Sequence, residues 1–196
     1  DGVVYRQINH SYRANYDFLM KSGLYHYLVE HGLLIQHEEI SLEAGIDEKI
    51  YKVIRPQNIP FISYPYEWSF SQLKDAAQTT LEIQKKALEF GMTLKDSSAY
   101  NIQFLNGRPV LIDTLSFETY KVGDPWVAYR QFCQHFLAPL AVMSYTNVAM
   151  GQLSRIYIDG IPLPVASSLL PLRTQIKPGL QIHIHLHARL QGKTSG

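Results

Sequence analysis

The stretch at residues 91–117, GMTLKDSSAYNIQFLNGRPVLIDTLSF, constrains this chain more than any other. Asn106-Gly107 is a turn signal that folds the chain back on itself and makes the flanking residues a hairpin. Asp96, with Asn101 five residues later, stands before the outgoing strand, and Asp113 ends the returning one. A hairpin with an acid and an amide at its base and a second acid at its far end can place three oxygen ligands around one phosphate group. The order therefore predicts a chain built to hold a nucleotide, whether or not it transfers phosphate.

The rest of the sequence supplies the elements around that hairpin. Asp1-Gly2 reads as the tip of a hairpin whose first strand is absent, with residues 3–8 as the returning strand. Residues 11–31 read as one helix with an apolar stripe of Tyr16, Leu19, Met20, Gly23, Leu24, Tyr27 and Leu28, stopped at Gly32. Residues 33–40 and 49–54 read as strands joined by an acidic, glycine-containing loop. Prolines at 56, 60 and 65 punctuate an extended link. Ser69 with Gln72 is a capping box for a helix running to about Phe90, with Phe70, Leu73, Ala77, Leu81 and Leu88 on its core side and Gly91 as its cap. Residues 126–145 read as an apolar helix that Pro139 should kink or interrupt. Residues 147–190 read as helical with breaks at Gly160, Pro162, Pro164, Pro171 and Pro178.

That order predicts an α+β chain with a protein kinase-like fold, mostly the helical C-terminal lobe plus a truncated N-terminal β lobe. Residues 1–62 are expected to form the truncated lobe (strand, helix, two strands) and residues 63–68 the hinge. Residues 69–190 are expected to form the helical lobe with its catalytic-loop hairpin, and residues 191–196 a linker or chain end. Asp96 would accept or orient the proton of an attacking hydroxyl. Asn101 and Asp113 would hold Mg2+, a hard cation that takes few protein ligands beside phosphate oxygens. Adenine would lie along the hinge, with Ile62, Tyr64, Tyr66 and Glu67 as the contacting residues. Arg6 lies on the strand expected to face the phosphates, although a guanidinium fork differs from an ammonium point charge. It reads equally as an exposed strand arginine. The acids of the following helix, Asp17 and Glu30, are not obviously placed to pair with it, and Lys52 is expected to be merely solvated.

Composition narrows the function classes. The 196 residues suit one domain or the larger part of one. Charged residues make up only 18% and there are 13 tyrosines, which fits large buried or partner-covered surfaces. A formal net charge of +1 and no Lys/Arg cluster argue against nucleic acid or an anionic membrane as partner. Cys133 is the single cysteine, so no disulfide can form within the chain and a reducing cytoplasm is expected. Cys133 itself reads as a packing residue, as do Trp68 and Trp126. No apolar run has the length of a membrane span and no segment reads as a signal peptide. The chain does not begin with Met, which leads to the expectation that it is excised from something longer. His183, His185 and His187 would share one face of a strand and could then bind zinc or copper; on a helix His185 would face away from the other two. A polar face packed against a partner domain is the favoured reading.

Two resemblances rest on these residues. Leu94-Lys95-Asp96-Ser97-Ser98-Ala99-Tyr100-Asn101, Leu111-Ile112-Asp113 and Gly123-Asp124-Pro125 resemble the aminoglycoside phosphotransferase branch of the protein kinase-like superfamily. Leu94 replaces that family's usual histidine, and Thr114-Leu115 replace the residues that usually follow its metal-binding acid. Tyr5-Arg6-Gln7-Ile8, the stretch at residues 59–68, the stretch at residues 126–136 and the stretch at residues 183–188 resemble the N-terminal region of bacterial class I SAM-dependent methyltransferase and nodulation-related proteins. The resemblance implies a methyltransferase domain beyond Gly196, and SAM would bind there, because no G-x-G-x-G loop follows a strand in this chain. Three readings follow. The chain is an ATP-dependent phosphotransferase acting on a small-molecule acceptor, a pseudokinase without turnover, or a structural domain serving the adjacent methyltransferase domain.

Overall fold

β1 (Arg6–Asn9), β2 (His37–Ile40) and β3 (Ile50–Pro56) form an antiparallel sheet with β3 in the middle. Arg6 and Glu39 both stand opposite Ile54. Alternation along the strands turns Ile8 and Ile54 inward, where they pack with Tyr16. The computed structural model describes residues 2–41 and 48–193. The acidic loop between β2 and β3, the Asp1 end of the expected hairpin tip and the last three residues of the tail lie outside the described residues. The chain divides into two compact units that interleave along the sequence: Asp1–Ile62, Thr79–Lys95 and Asn101–Trp126 in the first, and Ser63–Gln78, Asp96–Tyr100 and Val127–Gly196 in the second.

In the first unit the helix expected over residues 11–31 is broken. A 3-10 turn (His10–Tyr12) leads into α1 (Arg13–Lys21), and α2 (Leu24–Glu30) starts afresh. Gly23 between them has a φ of 88°, which a right-handed helix cannot continue. The apolar stripe survives the break, since Tyr16, Leu19, Leu24 and Leu28 are all fully buried.

The long helix α3 (Phe70–Glu89) matches expectation in length and in its start. The Ser69 N–H donates to the Gln72 carboxamide at 2.9 Å and the Gln72 N–H to the Ser69 hydroxyl at 3.3 Å. Its buried stripe is Leu73, Ala76, Thr80, Ile83 and Ala87, a spacing of three and four residues. Leu81 and Leu88 stand one place off that stripe and are 46% and 40% exposed, so they do not face the core. Gln84 is buried and spans the helix end: its amide donates to the Thr93 hydroxyl at 3.0 Å and its carbonyl accepts the Leu94 N–H at 2.8 Å. After Gly91, β4 (Met92–Leu94), the hairpin β5 (Ile102–Leu105) and β6 (Arg108–Leu111), and β7 (Phe117–Thr119) follow. Asn106 and Gly107 take φ of 52° and 77°, the left-handed pair a two-residue hairpin turn requires. β7 returns to pair with β4, an arrangement with no local sequence signal.

In the second unit, helix begins at Tyr129 rather than Trp126. α4 (Tyr129–Phe132) runs through a π-helical turn (Cys133–Leu137) into α5 (Ala138–Tyr145). Pro139 sits in the first turn of α5, and the π-helical turn immediately before it accommodates the missing N–H. The wide turn before it directs the Ala138 N–H to the Cys133 carbonyl. The Gln134 carbonyl, left without its helical partner, accepts the Ile161 N–H at 3.0 Å. Short helices complete the unit: α6 (Leu153–Ile156), α7 (Leu163–Leu169), α8 (Pro178–Leu180) and α9 (His187–Lys193), with a second π-helical turn over Gln181–Leu186. Pro164 opens α7 instead of breaking it. Cys133, Val142, Ile161, Leu163 and Ile184 lie in the core of this unit, so Cys133 is a packing residue as expected.

Gly160 is the tightest point of that unit. Its φ is 91°, and a methyl group there would come within 2.7 Å of the Gln134 Cβ and 3.0 Å of the Gln134 carbonyl carbon. Gly160→Ala is expected to lower stability by about 2–5 kcal/mol, adding overpacking to backbone strain. Gly107→Ala, with nothing within 4 Å, carries the strain alone, about 1–2 kcal/mol. Urea unfolding of both variants checks this, and equal losses would show the packing argument to be wrong.

Candidate functional site

The hairpin places Asp113 by main-chain bonds on both sides. The Ile112 N–H donates to the Asn101 carbonyl at 2.8 Å, closing the hairpin base. Leu111 is bracketed by the stretch before β2, exchanging bonds with Leu33 and Ile35 at 2.9 and 2.8 Å. Asp113 then caps a 3-10 turn (Thr114–Ser116), accepting the Leu115 N–H at 3.2 Å. Its other oxygen accepts the Ser116 hydroxyl at 2.7 Å. The Arg6 guanidinium reaches it from β1 at 2.5 Å. Asn101 joins the same group, its amide donating to Ser116 at 3.4 Å.

Three of the expected site residues, Arg6, Asn101 and Asp113, are therefore brought together within the first unit. Arg6 is a paired arginine, not a free one on a strand. Neither helix acid is its partner: Asp17 accepts the Tyr51 hydroxyl at 2.7 Å, and Glu30 stands 3.8 Å from His26. A cavity of about 630 Å³ in this unit is lined by Arg6, by Ile62, and by Ile112 next to Asp113. Val3, Ile35 and Ile59 add apolar wall, and Glu38, Arg55 and Gln57 add polar rim.

Asp96 belongs to the second unit, where its carboxylate accepts the Ser98 N–H at 2.9 Å. Beside it, the Ser97 hydroxyl donates to the Ala128 carbonyl at 2.9 Å and its N–H to Gln131 at 2.6 Å. Asp96 also acts on His135. Burial lowers the affinity of that imidazole for a proton, and Asp96 and Asp159 oppose the shift.

The expected hinge residues have other partners. The Glu67 carboxylate accepts the Tyr64 N–H at 2.7 Å, and the Tyr64 carbonyl accepts the Glu67 N–H at 2.8 Å. The Tyr66 carbonyl accepts the Gln152 amide at 3.1 Å. The Tyr64 N–H and carbonyl and the Tyr66 carbonyl, groups that an adenine edge would use, are thus engaged in a 3-10 turn (Pro65–Glu67) and its surroundings.

Sequence reasoning missed a polar chain in the first unit, buried at Tyr16, His37 and Thr114. Tyr16 donates to Glu39 at 2.9 Å, so its oxygen accepts from His37 Nε2 at 2.9 Å. His37 Nδ1 faces the Thr114 hydroxyl at 3.5 Å, next to Asp113 in sequence. Lys52 closes the other end on Glu39 and lies over the Tyr16 ring at 5.4 Å, so it is a fixed partner and not merely solvated. The alternation His37, Glu39 on one strand face was the available signal.

The three tail histidines lie on helix. His185 is buried, with its Nε2 donating to Thr174 and its Nδ1 accepting from Ser167, each at 2.8 Å. The Thr174 hydroxyl donates to the Pro171 carbonyl at 2.7 Å, which fixes those roles. His183 bonds to the Tyr129 hydroxyl and His187 packs edge-on against the Tyr129 ring at 5.3 Å. Among the described residues no three His, Cys, Asp or Glu side chains are grouped to hold a metal, and no helix is long and apolar enough to cross a membrane.

No protein-family model matches the chain. Among curated proteins, the nodulation protein NoeA of Rhizobium meliloti (strain 1021) is 36% identical to it over 180 residues. That alignment covers 91% of this chain and 38% of the relative, so the chain spans well under half of the protein it resembles.

Burial holds His37 below the ordinary histidine value of 6.5; Glu39 opposes this and Lys52 reinforces it. The folded state therefore takes up its proton at lower pH than the unfolded chain does. The stability this gives is present above pH 6.5 and is lost as pH falls below that value. Thermal unfolding should show a drop in midpoint between pH 7.5 and 5.5, and His37→Gln should make that drop smaller. An unchanged pH slope in the variant would remove His37 as a cause.

Proposed function

We propose that this chain is a kinase-like nucleotide-binding domain, a phosphotransferase-type module attached to a SAM-dependent methyltransferase within a larger, nodulation-related protein. The single observation that carries the reading is the Arg6–Asp113 pair beside a cavity lined by Arg6, Ile62 and Ile112. Apolar walls suit a base, and a fixed guanidinium suits phosphate oxygens. The donor set fits magnesium, since one carboxylate and one carboxamide leave the remaining positions to water and phosphate. Asp113 and Asn101 would hold the ion, which neutralises charge on the phosphates when bound. Asp96 enters by its place in the sequence, as the group that accepts the proton of an acceptor hydroxyl. Use of ATP implies a cytoplasmic setting. The relative NoeA is a nodulation protein, which supports nodulation as the biological context.

A second reading, binding without turnover, is favoured by one observation. Both Asp113 oxygens already accept bonds, from Arg6 and Leu115 on one and Ser116 on the other. A metal would have to share or displace them.

Thermal unfolding with ATP and Mg2+ tests the proposal. At a hundredfold excess over Kd the native state gains about 2.7 kcal/mol, a rise of roughly 5–10 °C for a chain of this size. Asp113→Asn and Arg6→Met should each abolish most of that rise. Asp96→Ala should keep the rise and lose phosphate release; release absent from the unsubstituted protein as well selects the second reading. No rise with ATP and Mg2+ would overturn both.

A further inference from the structure

The last helical layer of the second unit leaves five aliphatic side chains turned outward: Leu172, Ile176, Ile182, Leu186 and Leu190, between 43% and 81% exposed. We propose that these residues form one docking face, and that it is covered by the rest of the larger protein through a surface that is apolar at its centre and rimmed by carboxylates. This rests on the larger protein proposed above and not on nucleotide binding in the first unit.

Two elements build the face. A 3-10 turn (Leu172–Ile176) lies along the helix formed by α8, the second π-helical turn and α9. His185 Nε2 donates to the Thr174 hydroxyl at 2.8 Å, and the Arg189 guanidinium donates to the Gln175 carboxamide at 3.4 Å. Thr174 is fully buried, so Leu172 and Ile176, two places to either side of it, turn outward. On the helix, Ile184, His185 and Ala188 face inward. Ile182, Leu186 and Leu190 recur every fourth residue on another flank. Leu186 follows His185 and Leu190 follows Arg189, the two residues bonded to the turn, so stripe and turn adjoin. The histidines that the sequence suggested for a partner face are engaged inside the unit instead, on Tyr129, Ser167 and Thr174. A contiguous apolar face marks an interaction site.

Charge gives the chemistry of what covers it. Residues 160–196 contain no Asp or Glu. Arg173 and Lys177 stand on and beside the turn and Arg189 on the helix, all three exposed. Among the described residues none of them is in an ion pair. Cations of one sign around an apolar centre complement carboxylates around an apolar centre.

Length gives its source. NoeA shares 38% of its own length with this chain, so most of that protein lies outside the alignment. A segment tethered to the same polypeptide is present at high effective concentration, and a face of this modest size then suffices to hold it. A separate partner lacks that advantage.

Thiol labelling with an uncharged maleimide, on the complete gene product and on this chain alone, tests the proposal. The native Cys133 is buried; its silence limits background and shows that each variant is folded. Ile176→Cys and Leu186→Cys report on the face, and Val122→Cys, an exposed position in the first unit, is the control. In the chain alone all three should react at similar rates. In the complete protein the two face thiols should react about tenfold more slowly, because a covered thiol is labelled only when the contact opens; the control should keep its rate. Arg173→Glu combined with Lys177→Glu should speed labelling at Ile176→Cys in the complete protein about threefold. Labelling is done without nucleotide, so its result is separate from that of the ATP experiment. Equal face-thiol rates in the two proteins, or an unchanged rate on charge reversal, would overturn the proposal. So would protection in the chain alone that grows with its concentration, which would assign the face to a second copy.

Discussion

Asp113 organises the first unit. A carboxylate that leaves water needs most of its acceptor positions filled, and Asp113 fills them from three directions: a main-chain N–H, the Ser116 hydroxyl and the Arg6 guanidinium. Each bond ties a different part of the unit to one point. Arg6 fixes β1, the Leu115 N–H fixes the 3-10 turn after β6, and Ser116 carries the link on to Asn101 at the hairpin base. Without the acid the arginine would lose its partner and the turn its cap.

The polar chain from Lys52 through the exposed Glu39 to the buried Tyr16, His37 and Thr114 runs from the three-stranded sheet to the residue beside Asp113. Proton roles along it are set by counting. Tyr16 has one proton and gives it to Glu39, so His37 must donate from Nε2. A neutral imidazole can do so, and burial shifts His37 toward that form. The state of the sheet and the setting of the Asp113 turn are therefore linked through polar contacts as well as through packing.

In the second unit a proline sets the architecture at a distance. Because Pro139 has no N–H, the helix widens before it, and the Gln134 carbonyl is released to bond Ile161. That bond holds the Gly160 turn against the helix, and the turn carries Asp159. A feature readable as a helix interruption is thus what anchors the Gly160 turn.

Much of this was legible in the sequence. The Asn106-Gly107 turn, the Ser69/Gln72 cap and the Gly32 and Gly91 stops are local signals, and local signals act through bonds within a few residues. The amino-acid order by itself determined the hairpin, the long helix and which acids and amides stand at the hairpin's ends. It did not determine that Gly23 would break a helix while its apolar face continued, since a glycine is compatible with either backbone. Nor did it determine that β7 would pair with β4, that Arg6 would choose Asp113, or that the main-chain groups of Tyr64 and Tyr66 would be engaged by Glu67 and Gln152. Those outcomes join residues distant in sequence or depend on a choice among competing partners. Only the tertiary structure decides them, because burial removes water as the alternative partner and leaves each polar group to the neighbours that packing brings within reach.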